Sequence, residues 1–318
     1  MTACAARLLL MGLAALCAAV PLCRATPYLF AHMTGEDYGR LYYALSTDGL
    51  HWQSINGGCR IMDDYRGHPD IMLGHDGRFY LLGNPPDRGD IRIWASSDLI
   101  AWSHQRDLVP DMSQFPDYEG PDRWHGAPKL FYDKSTRTYL LTWHFSNAAK
   151  LKEAPENYWS GMKTFCVTSE DLVAFSKPRR LFDLDMATID AIVRKEADKY
   201  VAILKDERYP DFDWPTGKTI RISTAQSLLG PYGPPGPPIS PNFREAPMLI
   251  RRPDDRGWYL YFEQYPGRSY GLATAPALTG PWHDVYAGDH STPPNARHGC
   301  MVPITTAQYE ALLAAFGK

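Results

Sequence analysis

The chain has 318 residues, a net charge of −3, 44% hydrophobic and 22% charged residues, and is therefore long enough to bury a large core. Its longest basic cluster, residues 177–180, is short, and its net charge is near neutral. Both features argue against nucleic acid as a partner. Aromatic residues make up 13% of the chain, and with 25 Gly and 27 Pro they favour short strands and tight turns over a helical bundle.

The first 25 residues are predicted to be a secretory signal peptide. Arg7 precedes an apolar run over residues 8–22, and Ala25 supplies a small residue for cleavage. This order is typical of export signals, and the run is too short to span a membrane. The sequence therefore predicts a secreted or periplasmic protein, with residues 26–318 as a single domain and no membrane span in the mature chain.

Three cysteines follow residue 25, namely Cys59, Cys166 and Cys300. Their wide spacing and the lack of a Cys-x-x-Cys pair exclude a disulfide framework and a cysteine zinc site. At most one disulfide can form, so the fold is expected to be held by its hydrophobic core.

A pattern that recurs five times organises the rest of the chain. Each copy has a β-rich run, then Ser or Thr, a short turn and an aromatic residue, and the aromatics follow one another at intervals of 50 to 73 residues. Units of several strands that recur at about 40–50 residues are typical of a β-propeller. The closing aromatics are Trp52, Trp102, Phe175, Tyr232 and Trp282.

One strand-like run precedes each of these five segments, and a second run stands before it in four of them. One set is predicted to form the middle strands of the blades, since turn clusters precede four of its five members. The other set, short and apolar with polar residues at its start, is predicted to form the innermost strands. The middle runs are residues 28–33, 78–83, 138–143, 199–206 and 258–265, and the inner runs are residues 68–73, 127–133, 189–195, 245–251 and 298–304.

The order of these runs predicts how the ring closes. The last inner run, residues 298–304, lies near the C-terminus, whereas the other strands of its blade begin at Tyr28. The predicted fold is therefore all-β, a five-bladed propeller closed by pairing of the N- and C-terminal strands. Residues 305–316 are predicted to form a short capped helix after the closing strand.

Ionisable side chains stand near the start of every inner run. Innermost strands line the central channel of a propeller, and charges are costly to bury there unless they share a wet cavity. These side chains are therefore predicted to meet at one end of the channel. They are His68, Asp70, Lys129, Asp190, Glu245 and His298.

Short motifs open the last three inner runs. They are Ile189-Asp190-Ala191, Glu245-Ala246-Pro247 and Arg297-His298-Gly299. In this order they resemble the motifs of glycoside hydrolase family 43, five-bladed propeller enzymes that cut xylan and arabinan side chains. The resemblance covers nearly all of residues 28–304 and implies a glycosidase that acts on plant- or algal-type polysaccharides or oligosaccharides.

The resemblance also implies roles for individual residues. Glu245 would be the general acid, kept protonated by apolar surroundings and nearby negative charge, and Asp190 would tune its pKa and position it. An inverting mechanism needs a base on the opposite face, with the two groups about 6.5–9.5 Å apart. His298 would help to bind a metal ion, such as a structural Ca²⁺ in the channel, although no cofactor is required.

Two positions depart from the family pattern. His68 stands before a proline where the family has Asp, and Lys129 stands where the family has Glu. Because residues i and i+2 of a strand face the same side, Asp70 is expected to act as the base, with His68 as the alternative. Lys129 is expected to favour an acidic or sulfated sugar, or to pair with Asp190.

Aromatic and basic side chains near the inner runs are candidates for substrate contact. Trp124, His125 and Trp143 are candidates for stacking on a sugar ring, and Lys129 and Arg297 are candidates for binding substrate.

Two other functions are compatible with the sequence. One is a carbohydrate-binding propeller that has lost catalysis. The other is hydrolysis of a different bond with a metal held by three residues, namely His68, Asp70 and His298.

Overall fold

Five antiparallel β-sheets form the blades of a propeller in the computed structural model, which describes residues 26–317 except 87–88, 119–123, 156, 266 and 268. The strands are β1 (Tyr28–Thr34), β2 (Tyr42–Ser46), β3 (Gln53–Ser54), β4 (Arg66–Leu73), β5 (Phe79–Asn84), β6 (Ile91–Ser96), β7 (Ser103–Leu108), β8 (Gly126–Asp133), β9 (Thr138–Phe145), β10 (Lys163–Ser169), β11 (Arg179–Arg180), β12 (Thr188–Glu196), β13 (Lys199–Asp206), β14 (Thr219–Ala225), β15 (Glu245–Arg251), β16 (Trp258–Gln264), β17 (Ser269–Ala275), β18 (His283–Asp284) and β19 (Ala296–Pro303). The helices are α1 (Ala148–Glu153), α2 (Asn157–Ser160) and α3 (Thr306–Phe316).

The strand order confirms the predicted all-β, five-bladed propeller. Blades 1 to 5 have the orders β19-β1-β2-β3, β4-β5-β6-β7, β8-β9-β10-β11, β12-β13-β14 and β15-β16-β17-β18. The first strand of each order contacts its counterparts in other blades, so these five are the inner strands. Strand β19 pairs antiparallel with β1, placing Pro303 opposite Tyr28, which closes the ring as predicted.

The predicted C-terminal helix is also confirmed. Thr305 caps α3 and accepts a hydrogen bond from the main chain of Gln308, whose side chain accepts one from Thr305 in return, at 3.2 and 2.8 Å. Such a capping box satisfies two main-chain donors that the first helical turn leaves unpaired. Leu312 of α3 is fully buried in the hydrophobic cluster between blades 1 and 2.

Much of the aromatic content packs one blade against the next. The Trp102 indole donates to the Tyr43 hydroxyl of blade 1 at 2.9 Å, and Trp52 of blade 1 packs edge-on against Tyr261 of blade 5 with ring centroids 6.3 Å apart. Trp94 and other large aromatics are fully buried. The aromatic excess thus reflects the repeated interfaces between blades rather than a binding surface.

Each inner strand departs from regular pairing near its start. In β8, β12 and β15, two residues stand opposite one residue of the middle strand, whereas in β4 three residues, 67–69, stand opposite one. Such bulges bend a strand and redirect its side chains. The residue at each bulge has a positive φ: Gly67 (104°), Ala127 (43°), Asp190 (53°), Ala246 (48°) and His298 (29°).

The predicted signal peptide, residues 1–25, lies outside the described residues. Within the described ranges, no helix has the length and apolar character needed to cross a membrane. Cys59, Cys166 and Cys300 are free thiols, and the last two are buried.

Trp143→Ala removes an indole that is 1% exposed and packs in the core of blade 3. Truncation of a buried aromatic costs about 3–5 kcal/mol, so the free energy of unfolding, measured by chemical denaturation, is expected to fall by that amount. Trp124→Ala, at an exposed Trp, is the matched control and should change it by about 0.5 kcal/mol or less. Equal losses in both variants would contradict this placement.

Candidate active site

A cavity of about 300 Å³ lies where the inner strands begin. Five of the residues predicted from the sequence line it, and they come from the inner strands of blades 1, 2, 4 and 5. The structure therefore brings together side chains that are far apart in the sequence. These residues are His68, Asp190, Glu245, Arg297 and His298.

Cationic groups surround the Glu245 carboxylate. Lys205 Nζ lies 2.8 Å from Oε2, and His298 Nε2 lies 3.3 Å from Oε1. Burial raises the pKa of Glu245, but the hydrogen bond from His298 and the charge of Lys205 outweigh it and hold the pKa well below its usual range. The expectation that apolar surroundings and negative charge keep Glu245 protonated is therefore wrong, because its nearest partners are positive.

A buried chain of alternating charges extends from Glu245. Lys205 also lies 2.7 Å from Glu207, which in turn forms an ion pair with Lys218. Burial opposes the charge on Lys205, yet the two carboxylates raise its pKa. Lys205 and Glu207 are 3% and 4% exposed, so these buried charges require the counter-charges that the chain supplies.

Two histidines stack face to face beside Glu245. The rings of His68 and His298 are 3.9 Å apart with an 18° angle between planes. Burial lowers the pKa of both, but Glu263 and Glu245 raise the pKa of His298 above its ordinary value, whereas His298 lowers the pKa of His68 further. These pKa directions favour a positive charge on His298 and a neutral His68, whose Nε2 lies 2.9 Å from the Tyr38 hydroxyl oxygen.

Asp190 fixes the main chain next to Glu245. Its Oδ2 accepts a hydrogen bond from the Ala246 N–H at 3.1 Å, so the carboxylate of one blade holds the bulge of the next. Its Oδ1 is buried and makes no hydrogen bond within the described residues. The positioning role predicted for Asp190 remains a prediction, and this geometry is compatible with it.

Asp70 and Lys129 lie beneath the cavity and do not line it. Lys129 Nζ is 3.5 Å from Asp70 Oδ1 and donates to the Gly299 carbonyl at 3.3 Å. Asp70 Oδ2 accepts the Leu130 N–H at 2.8 Å. The additional residue in the β4 bulge breaks the two-residue alternation of side chains. The expectation that Asp70 and His68 lie on the same face of the strand is therefore wrong. Lys129 pairs with Asp70, not with Asp190.

The predicted stacking residues also lie outside the cavity lining. Trp143 is buried in blade 3, and His125 stacks on Phe145 at 4.7 Å while its Nδ1 lies 2.7 Å from the Gly89 carbonyl oxygen. Trp124 is 37% exposed on the surface. Other aromatic and polar side chains line the cavity instead, and sequence reasoning missed them. They are Tyr38, His144, Trp159, Lys205, Glu207, Lys218 and Tyr265.

The sequences of the middle strands contain a pattern that predicts some of these additional cavity residues. The end of each middle strand lies beside the start of an inner strand, so that Lys205 pairs with Ile189 and Glu263 with Glu245. An ionisable residue at the end of an apolar middle run, as at His144, therefore marks a side chain near the cavity.

The carboxylates around His298, the residue predicted to help bind a metal ion, are already neutralised by basic side chains. Ligand atoms of Glu245, Glu263 and His298 lie within 4.8 Å of one another. However, Lys205 and Arg297 form ion pairs with the two carboxylates, and His298 donates to Glu245. Ca²⁺ takes six to eight oxygen ligands, so this donor set does not fit it. A site formed by His68, Asp70 and His298 does not fit either, because Asp70 faces Lys129.

Comparisons with known proteins agree with the fold. A profile described as a probable glycosyl hydrolase domain, related to family 43, matches residues 70–310. No curated protein matches significantly in sequence. The exo-β-1,3-galactanase of Phanerochaete chrysosporium is 16% identical with a TM-score of 0.53, covering 72% of this chain and 51% of the galactanase. This chain thus spans about half the length of that enzyme.

Two other solved structures give the same result. A thermostable family-43 glycoside hydrolase is 20% identical, with a TM-score of 0.51 and coverage of 70% of this chain and 72% of its own. The arabinanase of Bacillus subtilis is 16% identical, with a TM-score of 0.52 and coverage of 74% and 79%. Identities this low show a shared fold and leave substrate and mechanism open.

The histidine pair gives a direct test of the site's charge. In ¹⁵N-histidine spectra, His298 is expected to stay protonated above pH 6.5 and His68 to stay neutral below it. His298 therefore adds stability that is complete below its unfolded pKa of about 6.5 and is lost as pH rises through its raised pKa. Titration of both rings near pH 6.5 would contradict the arrangement.

Proposed function

Because this chain belongs to the family of probable glycosyl hydrolase domains related to glycoside hydrolase family 43, we propose that it is an exported glycosidase that cleaves plant- or algal-type polysaccharides or oligosaccharides with inversion. The convergence of His68, Glu245 and His298 in one cavity carries the proposal. Neighbouring folds named as a β-1,3-galactanase and an arabinanase support a polymer of neutral sugars as the backbone.

The proton donor in this proposal is a pair rather than a single carboxylic acid. Glycoside cleavage needs a proton on the leaving oxygen. In the free protein that proton rests on His298, whose Nε2 lies 3.3 Å from the Glu245 carboxylate. A bound sugar desolvates Glu245 and favours its neutral form, so the proton passes from His298 to Glu245 and then to the leaving oxygen.

His68 is the proposed base. It lines the same cavity as Glu245 and stacks on the face of the His298 ring, whose Nε2 edge contacts the Glu245 carboxylate. Its lowered pKa keeps the imidazole neutral and able to accept a proton from water. Asp70 is held by Lys129 beneath the cavity and so lacks access to that water.

The remaining polar groups would bind and orient the sugar. Arg297 lines the cavity, and its Nη2 lies 3.7 Å from Glu245 Oε1. From this position its guanidinium would donate a hydrogen bond to the sugar. The Oδ1 of Asp190, which makes no hydrogen bond within the described residues and lies 3.7 Å from His144 Nδ1, offers an acceptor for a sugar hydroxyl. Together they would hold the glycosidic oxygen near Glu245, because bound orientation lowers the barrier to reaction.

The proposed hydrolysis needs no metal ion, since Lys205 and Arg297 already neutralise the carboxylates of the candidate metal cluster. Turnover is expected to be the same, within about twofold, in EDTA and in millimolar Ca²⁺. The measurement is the initial rate on the best substrate after chelation, with and without added metal. A rate that collapses in EDTA and returns with Ca²⁺ would contradict this part of the proposal.

Substitutions separate the two candidate bases. Glu245→Gln and His68→Gln are each expected to lower kcat by about 10²–10⁴-fold on a panel of aryl glycosides and oligosaccharides. Asp70→Asn should instead lower stability, because it leaves Lys129 buried without its counter-charge, at about 3–5 kcal/mol, while the folded fraction keeps its kcat. Glu310→Gln and His283→Gln are matched controls.

Three results would contradict the proposal. If Asp70→Asn abolishes kcat in folded protein while His68→Gln weakens it only slightly, Asp70 is the base. A product of retained configuration would exclude inversion. If oligosaccharides bind but no substrate turns over, the chain is a carbohydrate-binding propeller.

A further inference from the structure

A second cavity, of about 450 Å³, adjoins the first. Trp159, Glu207 and Lys218 line both, so a ligand that extends from the first cavity reaches the second. The second cavity lies over the segments that follow β13 and precede β12. It contains none of the residues assigned above to proton transfer.

Positive charge dominates this second cavity. Four basic side chains and two acidic ones line it; Glu207 forms ion pairs with Lys205 and Lys218, and Arg208 forms one with Asp206. The excess of basic over acidic side chains in the lining favours an anion over a neutral hydroxyl. The basic residues are Lys150, Lys163, Arg208 and Lys218, and the second acid is Asp185.

Lys163 shows this surplus most clearly. Its ammonium donates to the carbonyls of Leu184 and Met186 at 2.7 and 2.9 Å. Among the described residues, no carboxylate forms an ion pair with it. Partial burial and the nearby Arg180 lower the pKa of Lys163 more than Asp185 raises it, so a bound anion would stabilise its charged form.

Aromatic rings connect the two cavities. Trp159 is 48% exposed and Tyr209 is 68% exposed, and both line the second cavity. The Tyr209 ring contacts Phe243 at 5.7 Å, and Phe243 contacts Tyr265 of the first cavity at 6.3 Å. Exposed rings in a row offer apolar faces against which successive sugar rings can pack.

We propose that the second cavity binds an anionic sugar residue, a uronate or a sulfated sugar, of the glycan whose neighbouring bond occupies the first cavity. This inference rests on the proposed function for the location of the cleaved bond. The preference for an acidic sugar was expected from Lys129, but Lys129 is buried against Asp70. Lys163 and the other basic residues of the second cavity would bind the acidic sugar instead. Carboxylate and sulfate share the recognising chemistry, a fixed negative charge that accepts hydrogen bonds from ammonium groups.

Binding to the non-cleaving Glu245→Gln protein tests the inference without turnover. Calorimetric titrations would compare a uronate-containing oligosaccharide with its carboxyl-reduced form, and a sulfated oligosaccharide with its desulfated form. At least one charged member is expected to bind about tenfold more tightly than its neutral partner at low salt, in line with a charge-assisted hydrogen bond. The pair that shows the difference identifies the anion.

Lysine variants in the Glu245→Gln background assign the preference to this cavity. Lys163→Met and Lys150→Met are each expected to reduce the preference for the charged member to about threefold or less, and Lys150→Met covers the case in which Lys163→Met fails to fold. Lys134→Met, in the exposed turn between β8 and β9, is the matched control and should leave the preference unchanged.

The outcomes distinguish this inference from the proposed function. Equal binding of both members in each pair, or a preference that survives both lysine variants, overturns the anionic subsite. A preference that disappears in the lysine variants supports it, even when the unsubstituted chain cleaves no glycoside and the hydrolase proposal fails. Cleavage of neutral glycans with no charge preference supports the hydrolase proposal and overturns the anionic subsite.

Discussion

The inner strands of all five blades leave regular β geometry at the same level, where one residue of each takes up a positive φ. For residues other than glycine this conformation costs about 1–2 kcal/mol each, and four of the five are Ala, Asp or His. At Gly67 an added Cβ would collide with Asn84, so close packing also requires glycine there. The bulges redirect side chains into the cavity, so the candidate site depends on this shared irregularity.

The charges that meet there form a network with few unpaired members. Glu245 is held by Lys205 and His298, Lys205 by Glu207, and Arg297 by Glu263. Removing one member leaves a buried charge without its partner, which is strongly destabilising. The same network holds the pKa of Glu245 low, which is why the proposed proton donation involves His298.

The fold follows from the sequence to a large extent, and the site only in part. Five copies of a strand-turn-aromatic pattern predict the blades, because the turn is local: Ser46 bonds Asp48 and the main chain within three residues. The face of a side chain after a bulge is not local. In β4 one additional residue in the bulge places His68 in the cavity and Asp70 beneath it. The alternation of side chains along a strand does not predict how many residues a bulge contains. Lys205 was not predicted because it stands near the end of a middle strand, outside the inner runs.

A crystal structure of Glu245→Gln with a bound oligosaccharide would show whether residue 245 and His68 face the cleaved bond from opposite sides, as the proposed mechanism requires. The anomeric carbon is expected to lie between the substituted side chain at position 245 and a water held by His68, with Asp70 still paired to Lys129. A sugar bound with Asp70 facing the anomeric carbon, or bound away from this cavity altogether, would contradict the mechanism.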